Sequence, residues 1–131
     1  MTAKTASKWV IVDSPGWIEY LANGEKADVF APYLESSESV LLPSVIVYEV
    51  YNCISRAKSK TTGAMFLSHA LALGAHLIPL TPELSVLAAD TNLDTHLGMA
   101  RAIVYASAQS HQAQLITSDP GFANLPGVTL L

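Results

Sequence analysis

The chain has 131 residues, half of them apolar, with a formal net charge of -4 and a pI near 5.4. That length and apolar content suit one domain spanning residues 1–131 with a sizeable core, and the acidic balance excludes broad nucleic-acid binding through a basic surface. Cys53 is the single cysteine, which rules out an intrachain disulfide and a multi-cysteine zinc site; with no signal-peptide core in MTAKTASKWVIV and no window approaching a membrane span, the expected location is cytoplasmic.

Residues 9–12, WVIV, favour a buried strand and run straight into Asp13. Ser14-Pro15-Gly16 then turns the chain into one or two helical turns over 15–21, stopped by Asn23-Gly24. Asp13 is therefore expected at a strand's carboxyl end, the edge where ligands gather in open α/β sheets. A second helix is predicted over 25–35, with Val29, Phe30, Tyr33 and Leu34 on its apolar face and Ser36-Ser37 as its break. Residues 39–42 read as a short buried strand closed by Pro43, with Ser44 placed to cap the next helix. That helix, 45–58, is apolar nearly all round its first two turns yet contains Glu49, flanked on its own face by Val45, Ile46, Asn52 and Cys53. An unpaired carboxylate on such a surface is costly. Arg56, Lys58 and Lys60 gather at the far end, where solvated cations suit a helix's negative pole.

Thr61-Thr62-Gly63 is expected to open a helix reaching Leu73 and stopped by Gly74, and residues 76–80 form a third short strand. Thr81 caps and Pro82 begins a helix running to about Asp94, and His96-Leu97-Gly98 hands over to another across 99–111. Residues 114–117 are a fourth strand, Ser118-Asp119-Pro120-Gly121 a turn with Asp119 just past the strand end, Leu125-Pro126-Gly127 a second turn, and 128–131 a last short strand. Alternation without a hairpin signal predicts an α/β fold with a central parallel sheet of about four to five short strands and helices on both faces.

Asp13 and Asp119 occupy the same slot at the ends of different strands, and Glu49 rises from a helix that begins beside a third. Taken singly, each aspartate is explained as a cap of the turn that follows it. Glu49 has no such explanation, and the three together favour a shared site. Converging carboxylates repel one another unless a cation lies between them. Mg²⁺ or Mn²⁺ takes a few carboxylates, keeps several waters and can activate one of them for attack on a phosphodiester. Ser14 and Ser118, each beside one aspartate, are placed to orient ligands or bound water. Asp90 and Asp94 read as solvent-facing, and His69, His76, His96 and His111, scattered without zinc-hydrolase spacing, as surface or packing residues.

The segments VDSPGWIEYL, PSVIVYEV and LITSDPGFANLPGV resemble, in order and spacing, the three motif regions of PIN-domain ribonucleases, and especially the VapC-type toxins of bacterial toxin–antitoxin pairs. The resemblance covers essentially the whole chain. It implies a PIN-like domain and a Mg²⁺- or Mn²⁺-dependent RNA endonuclease in which Asp13, Glu49 and Asp119 are catalytic and metal-ligating. It also implies a VapB-like antitoxin as protein partner, RNA as substrate and a homodimer as the toxin unit. Two positions depart from the family pattern. Arg101, in the run Met99-Ala100-Arg101-Ala102-Ile103, stands where a further metal-ligating aspartate is expected, and Gly121 lies near a place where many relatives carry another acid. A guanidinium in place of a carboxylate swings the local charge by two units and can pair with Asp13, Glu49 or Asp119. At an effective dielectric near 20, a full charge about 4 Å away is worth roughly 4 kcal/mol, so weakened metal binding and impaired cleavage are expected. The competing readings are a catalytically inactive PIN-fold protein that only binds its antitoxin or partner, and a phosphatase or phosphate receiver. The latter fares worse because the chain lacks a lysine after the last major strand and a paired-acid cluster in one motif.

Overall fold

The computed structural model describes residues 9–35 and 39–131; the segment before Trp9 and the Ser36-Ser37 break lie outside the described residues. Strand β1 (Val10–Val12) is followed by helices α1 (Ser14–Leu21) and α2 (Ala27–Glu35), then β2 (Val40–Pro43), α3 (Ser44–Ala57) and α4 (Lys60–Ala72). Next come β3 (His76–Ile78), α5 (Pro82–Thr95), α6 (Met99–Ser110) and β4 (Gln114–Thr117), then a 3-10 turn at Pro120–Phe122 and β5 (Val128–Leu130). The five strands form one sheet in the order β3-β2-β1-β4-β5, every pairing parallel. This is the expected parallel α/β sheet flanked by helices, at the upper end of the expected strand number.

The strand order places the site. From β1 the chain steps one way, to β2 and β3, and then crosses back to β4 on the other side of β1. Right-handed crossovers running in opposite directions leave a crevice outside the carboxyl ends of the two central strands. β1 and β4 flank it, with Val12 opposite Ile116. The next residue on β1 is Asp13, whose N–H donates to the Ile116 carbonyl at 3.0 Å. Ile11, Val12, Leu115 and Ile116 are buried beneath this edge together with Trp17, Phe30 and Phe66. Trp17, one turn into α1, meets Phe66 of α4 edge to face and so ties the first helix to the fourth through the core.

Four local expectations are corrected. Ser44 does not cap α3; it is the first helical residue, Pro43 is the N-cap, and the Ser44 hydroxyl donates to the Ile78 carbonyl at 3.1 Å. A side chain that close to the end of β3 serves the sheet edge rather than its own helix. The helix expected to open at Thr61-Thr62-Gly63 begins at Lys60, because Ser59 is the cap and accepts from the Thr62 N–H at 3.1 Å. Gly63 is a contact residue instead: a side chain there would run into Ser55 and Tyr51 of α3. Helix α2 starts at Ala27 instead of residue 25, with the Glu19 carboxylate accepting from the Lys26 N–H at 2.9 Å just ahead of it. The third strand ends at Ile78, two residues earlier than expected, and Pro79-Leu80 leads to the Thr81 cap of α5. Among the described residues no helix is long and apolar enough to cross a membrane.

Candidate active site

A cavity of about 340 Å³ opens at the carboxyl edge of the sheet. Asp13, Glu49 and Asp119 all line it, with Ser14 and Arg101 between them and Leu97, Gly98 and Val104 forming an apolar wall. The three predicted acids therefore share one space, delivered by β1, α3 and the turn after β4.

Asp13 is the inner wall. Its backbone is extended and it caps α1, with its side chain accepting from the Ser14 N–H at 2.8 Å. Its other oxygen accepts from the Thr117 hydroxyl at 3.1 Å. Asp13 is only 5% exposed, and burial pushes its carboxyl up to about 6 against the pull of those two hydrogen bonds, with the charges of Glu49 and Asp119 adding to the rise. Both descriptions of Asp13 hold at once: it is a cap, and it faces the cavity.

Thr117 was not singled out in the sequence. It is fully buried, and its hydroxyl also accepts from the Asp119 N–H at 3.0 Å, so one oxygen joins the two aspartates. The available signal was the threonine two residues ahead of the aspartate in LITSDPGF. Ser118 lies between them, half-buried, and does not line the cavity. Ser14 does line it and hydrogen-bonds Glu49. Glu49, half-buried on the second turn of α3, has its carboxyl raised first by burial; the Ser14 bond and the Arg101 charge oppose this and the Asp119 charge adds to it.

Asp119 and Arg101 form the outer wall. Arg101 sits on the first turn of α6, whose start is set by Gly98 at φ 91°, a left-handed value that suits glycine. Asn92 accepts from the Gly98 N–H at 2.8 Å and fixes that corner. From there the guanidinium grips Asp119 with two bonds, Nε to Oδ2 at 2.7 Å and Nη2 to Oδ1 at 3.1 Å. Of the three acids it was expected to pair with, Arg101 takes Asp119. The guanidinium holds the Asp119 carboxyl below the usual carboxylate range, against burial and with help from the Gly121 N–H. Asp90, Asp94 and all four histidines are exposed.

A divalent ion needs oxygens free to turn toward one point. Both oxygens of Asp119 are engaged by Arg101 and both of Asp13 by Ser14 and Thr117. Among the described residues, no three His, Cys, Asp or Glu side chains come together closely enough to hold a metal ion. As arranged, the three carboxylates share a cavity, but the guanidinium pairing at Asp119 disfavours a divalent cation there. What they do provide is one buried carboxylate, Asp13, raised to about 6 by its burial, beside one held low by a guanidinium.

The PIN domain family model matches residues 10–128. No curated protein matches the chain. Among solved structures, the fold is similar to a toxin–antitoxin complex from Klebsiella pneumoniae at 20% identity and TM-score 0.76, covering 92% of this chain and 95% of that one. It is also similar to VapC20 of Mycobacterium tuberculosis, described as a sarcin-ricin loop cleaving toxin, at 13% identity and TM-score 0.75, covering 91% and 96%. VapBC2 from Rickettsia felis, bound to a DNA fragment from its promoter, matches at 13% identity and TM-score 0.71, covering 93% and 96%.

Proposed function

Since this chain belongs to the PIN-domain family, we propose that it is a VapC-like member of a type II toxin–antitoxin pair, an RNA endonuclease by descent whose metal-dependent activity is attenuated by Arg101. The observation that carries this reading is the convergence of Asp13, Glu49 and Asp119 on one cavity at the sheet's carboxyl edge, with Arg101 gripping the third acid. Mg²⁺ or Mn²⁺ would have to compete with the guanidinium for Asp119, and the charge it would meet is smaller by the arginine's unit. RNA is the proposed substrate, Asp13, Glu49 and Asp119 the proposed catalytic set, and Ser14 the residue that orients Glu49; the chain is proposed to work in the cytoplasm as a homodimer.

A VapB-like antitoxin is the proposed partner. An apolar groove of about 320 Å³ between α1, α3 and α4, lined by Ile18, Leu21, Ile54, Met65 and Phe66 with Lys58 and His69 at its margin, suits an amphipathic segment bearing acidic residues. The same Arg101–Asp119 pair supports a second reading, a PIN-fold protein that binds its partner without cutting RNA.

One pair of measurements separates the two. Arg101→Asp and the unchanged chain are compared for Mn²⁺ binding by calorimetry and for cleavage of structured RNA with and without EDTA. The expected outcome is a Mn²⁺ affinity higher by at least about tenfold in Arg101→Asp, the arginine being half-exposed and partly screened, with EDTA-sensitive cleavage rising in parallel. Equal affinities would sink the attenuation. Tight Mn²⁺ binding by the variant without cleavage would favour the partner-only reading.

A further inference from the structure

Arg101 and Gly121 are far apart in sequence, on α6 and on the 3-10 turn after β4, and each departs separately from the acidic pattern noted in the sequence. In the structure they touch. A Cβ placed on residue 121 would lie 2.7 Å from Arg101 Nε, 2.8 Å from Cζ and 3.1 Å from Nη2. The guanidinium thus lies close against the one position of this turn that has no side chain. Gly121 also donates its N–H to Asp119 Oδ1 at 2.9 Å, the oxygen that Arg101 Nη2 reaches at 3.1 Å. Two groups, the guanidinium from a helix and one N–H from a turn, close on a single carboxylate.

The backbone does not ask for glycine here. Gly74, Gly98 and Gly127 have positive φ, whereas Gly121 does not. It is exposed, and its N–H would remain in an alanine. What the missing side chain supplies is room, and the atoms nearest to that room belong to Arg101.

We infer that Gly121 is the positioning residue for Arg101: the space at 121 seats the guanidinium on Asp119, so that residues 101 and 121 act as one unit that withholds the third carboxylate from a divalent ion. The two departures are then one structural event. The part concerning the ion rests on the proposed metal-dependent reading of the cavity; the seating itself does not.

Gly121→Ala is the natural test, because the atoms an added methyl meets belong to the end of a flexible side chain and the backbone accepts alanine. Two readouts are taken on the full chain: solvent exchange of the Arg101 Nε–H by ¹⁵N NMR, and Mn²⁺ affinity by calorimetry. In Gly121→Ala the Nε–H is expected to exchange at least about tenfold faster, having lost its short charged bond to Asp119. Mn²⁺ affinity is expected to rise several-fold, and to stay flat when Gly121→Ala is added to Arg101→Ala, where there is no guanidinium left to displace. Unchanged Nε–H exchange in Gly121→Ala overturns the inference whatever the metal does. An equal rise in Mn²⁺ affinity with and without Arg101 overturns it too, since the glycine would then act on the site directly. Faster exchange with Mn²⁺ affinity flat in every variant, Arg101→Ala included, upholds the seat and defeats the metal reading.

Discussion

The inner wall of the cavity, Asp13 with Thr117, and the outer wall, Asp119 with Arg101 and Gly121, hold their carboxylates by different means. Asp13 is fixed by strand register: its N–H completes the β1–β4 ladder, and its side chain takes bonds from the next backbone N–H and from a buried hydroxyl on the neighbouring strand. Asp119 is fixed by side-chain choice, a half-exposed arginine reaching across from α6 over a glycine. The consequence for proton affinity is opposite in sign. Burial raises Asp13 to about 6, while the guanidinium lowers Asp119. The fold therefore determines the inner acid, and two replaceable residues determine the outer one.

The largest effect expected from this contrast is a gain with rising pH. Above pH 6 the folded chain holds an ionised Asp13 that would rather be neutral; below about pH 4 it is protonated in folded and unfolded chains alike, and the penalty is gone. Asp13→Asn removes the ionisation. Relative to the unchanged chain, the variant's stability should rise by roughly 3 kcal/mol from pH 4 to pH 8, from the difference between a pKa of about 6 and the ordinary value of 3.8. Set against this is a pH-independent cost of about 1–3 kcal/mol, because an amide offers one acceptor oxygen to the two donors Ser14 N–H and Thr117 Oγ–H. Urea unfolding across that range measures it. A stability difference that did not depend on pH would mean that burial is not what raises Asp13. Asp119 has the opposite linkage: its lowered pKa stabilises the fold at and above the ordinary carboxylate range and is lost in acid.

Thr117→Val should come next. The variant keeps the shape but deletes a hydroxyl that donates to Asp13 and accepts from the Asp119 N–H inside a fully buried position. Leaving both groups short of a partner costs about 1–3 kcal/mol. Thr117→Ser, which restores the oxygen, should recover most of it. If serine behaved like valine, packing of the methyl group would be the threonine's main role.

Asp13, Glu49 and Asp119 were legible for local reasons: two acids at strand-to-turn boundaries, and one acid misplaced on an apolar helix. Thr117 was not, because a threonine at a strand's end looks like any strand residue until β4 is known to lie beside β1, and that pairing joins positions more than a hundred residues apart. Ser44 was misread for a related reason, since its hydroxyl answers to β3 and not to the helix it begins. Arg101 announced a change of charge, but its choice of Asp119 and its seat on Gly121 depend on how α6 leaves the Gly98 corner. The alternation of strands and helices conveyed the parallel sheet; the strand order, and with it the crevice between β1 and β4, came from tertiary pairing.

Substitution of Arg101 should have the smallest effect on stability and the clearest diagnostic value. Because the guanidinium is 49% exposed, solvent screening limits what the ion pair adds to folding, and Arg101→Ala should cost less than about 1 kcal/mol, a loss that shrinks further in high salt. Arg101→Lys keeps the charge but lacks the planar fork that reaches both oxygens of Asp119. If charge alone matters at the outer wall, lysine will match arginine in keeping Mn²⁺ affinity low. If the two-bond grip matters, lysine will fall between arginine and alanine, because a single ammonium leaves one Asp119 oxygen free to turn toward an ion. The intermediate value is the expected one, since Asp119 is held here by geometry as much as by sign.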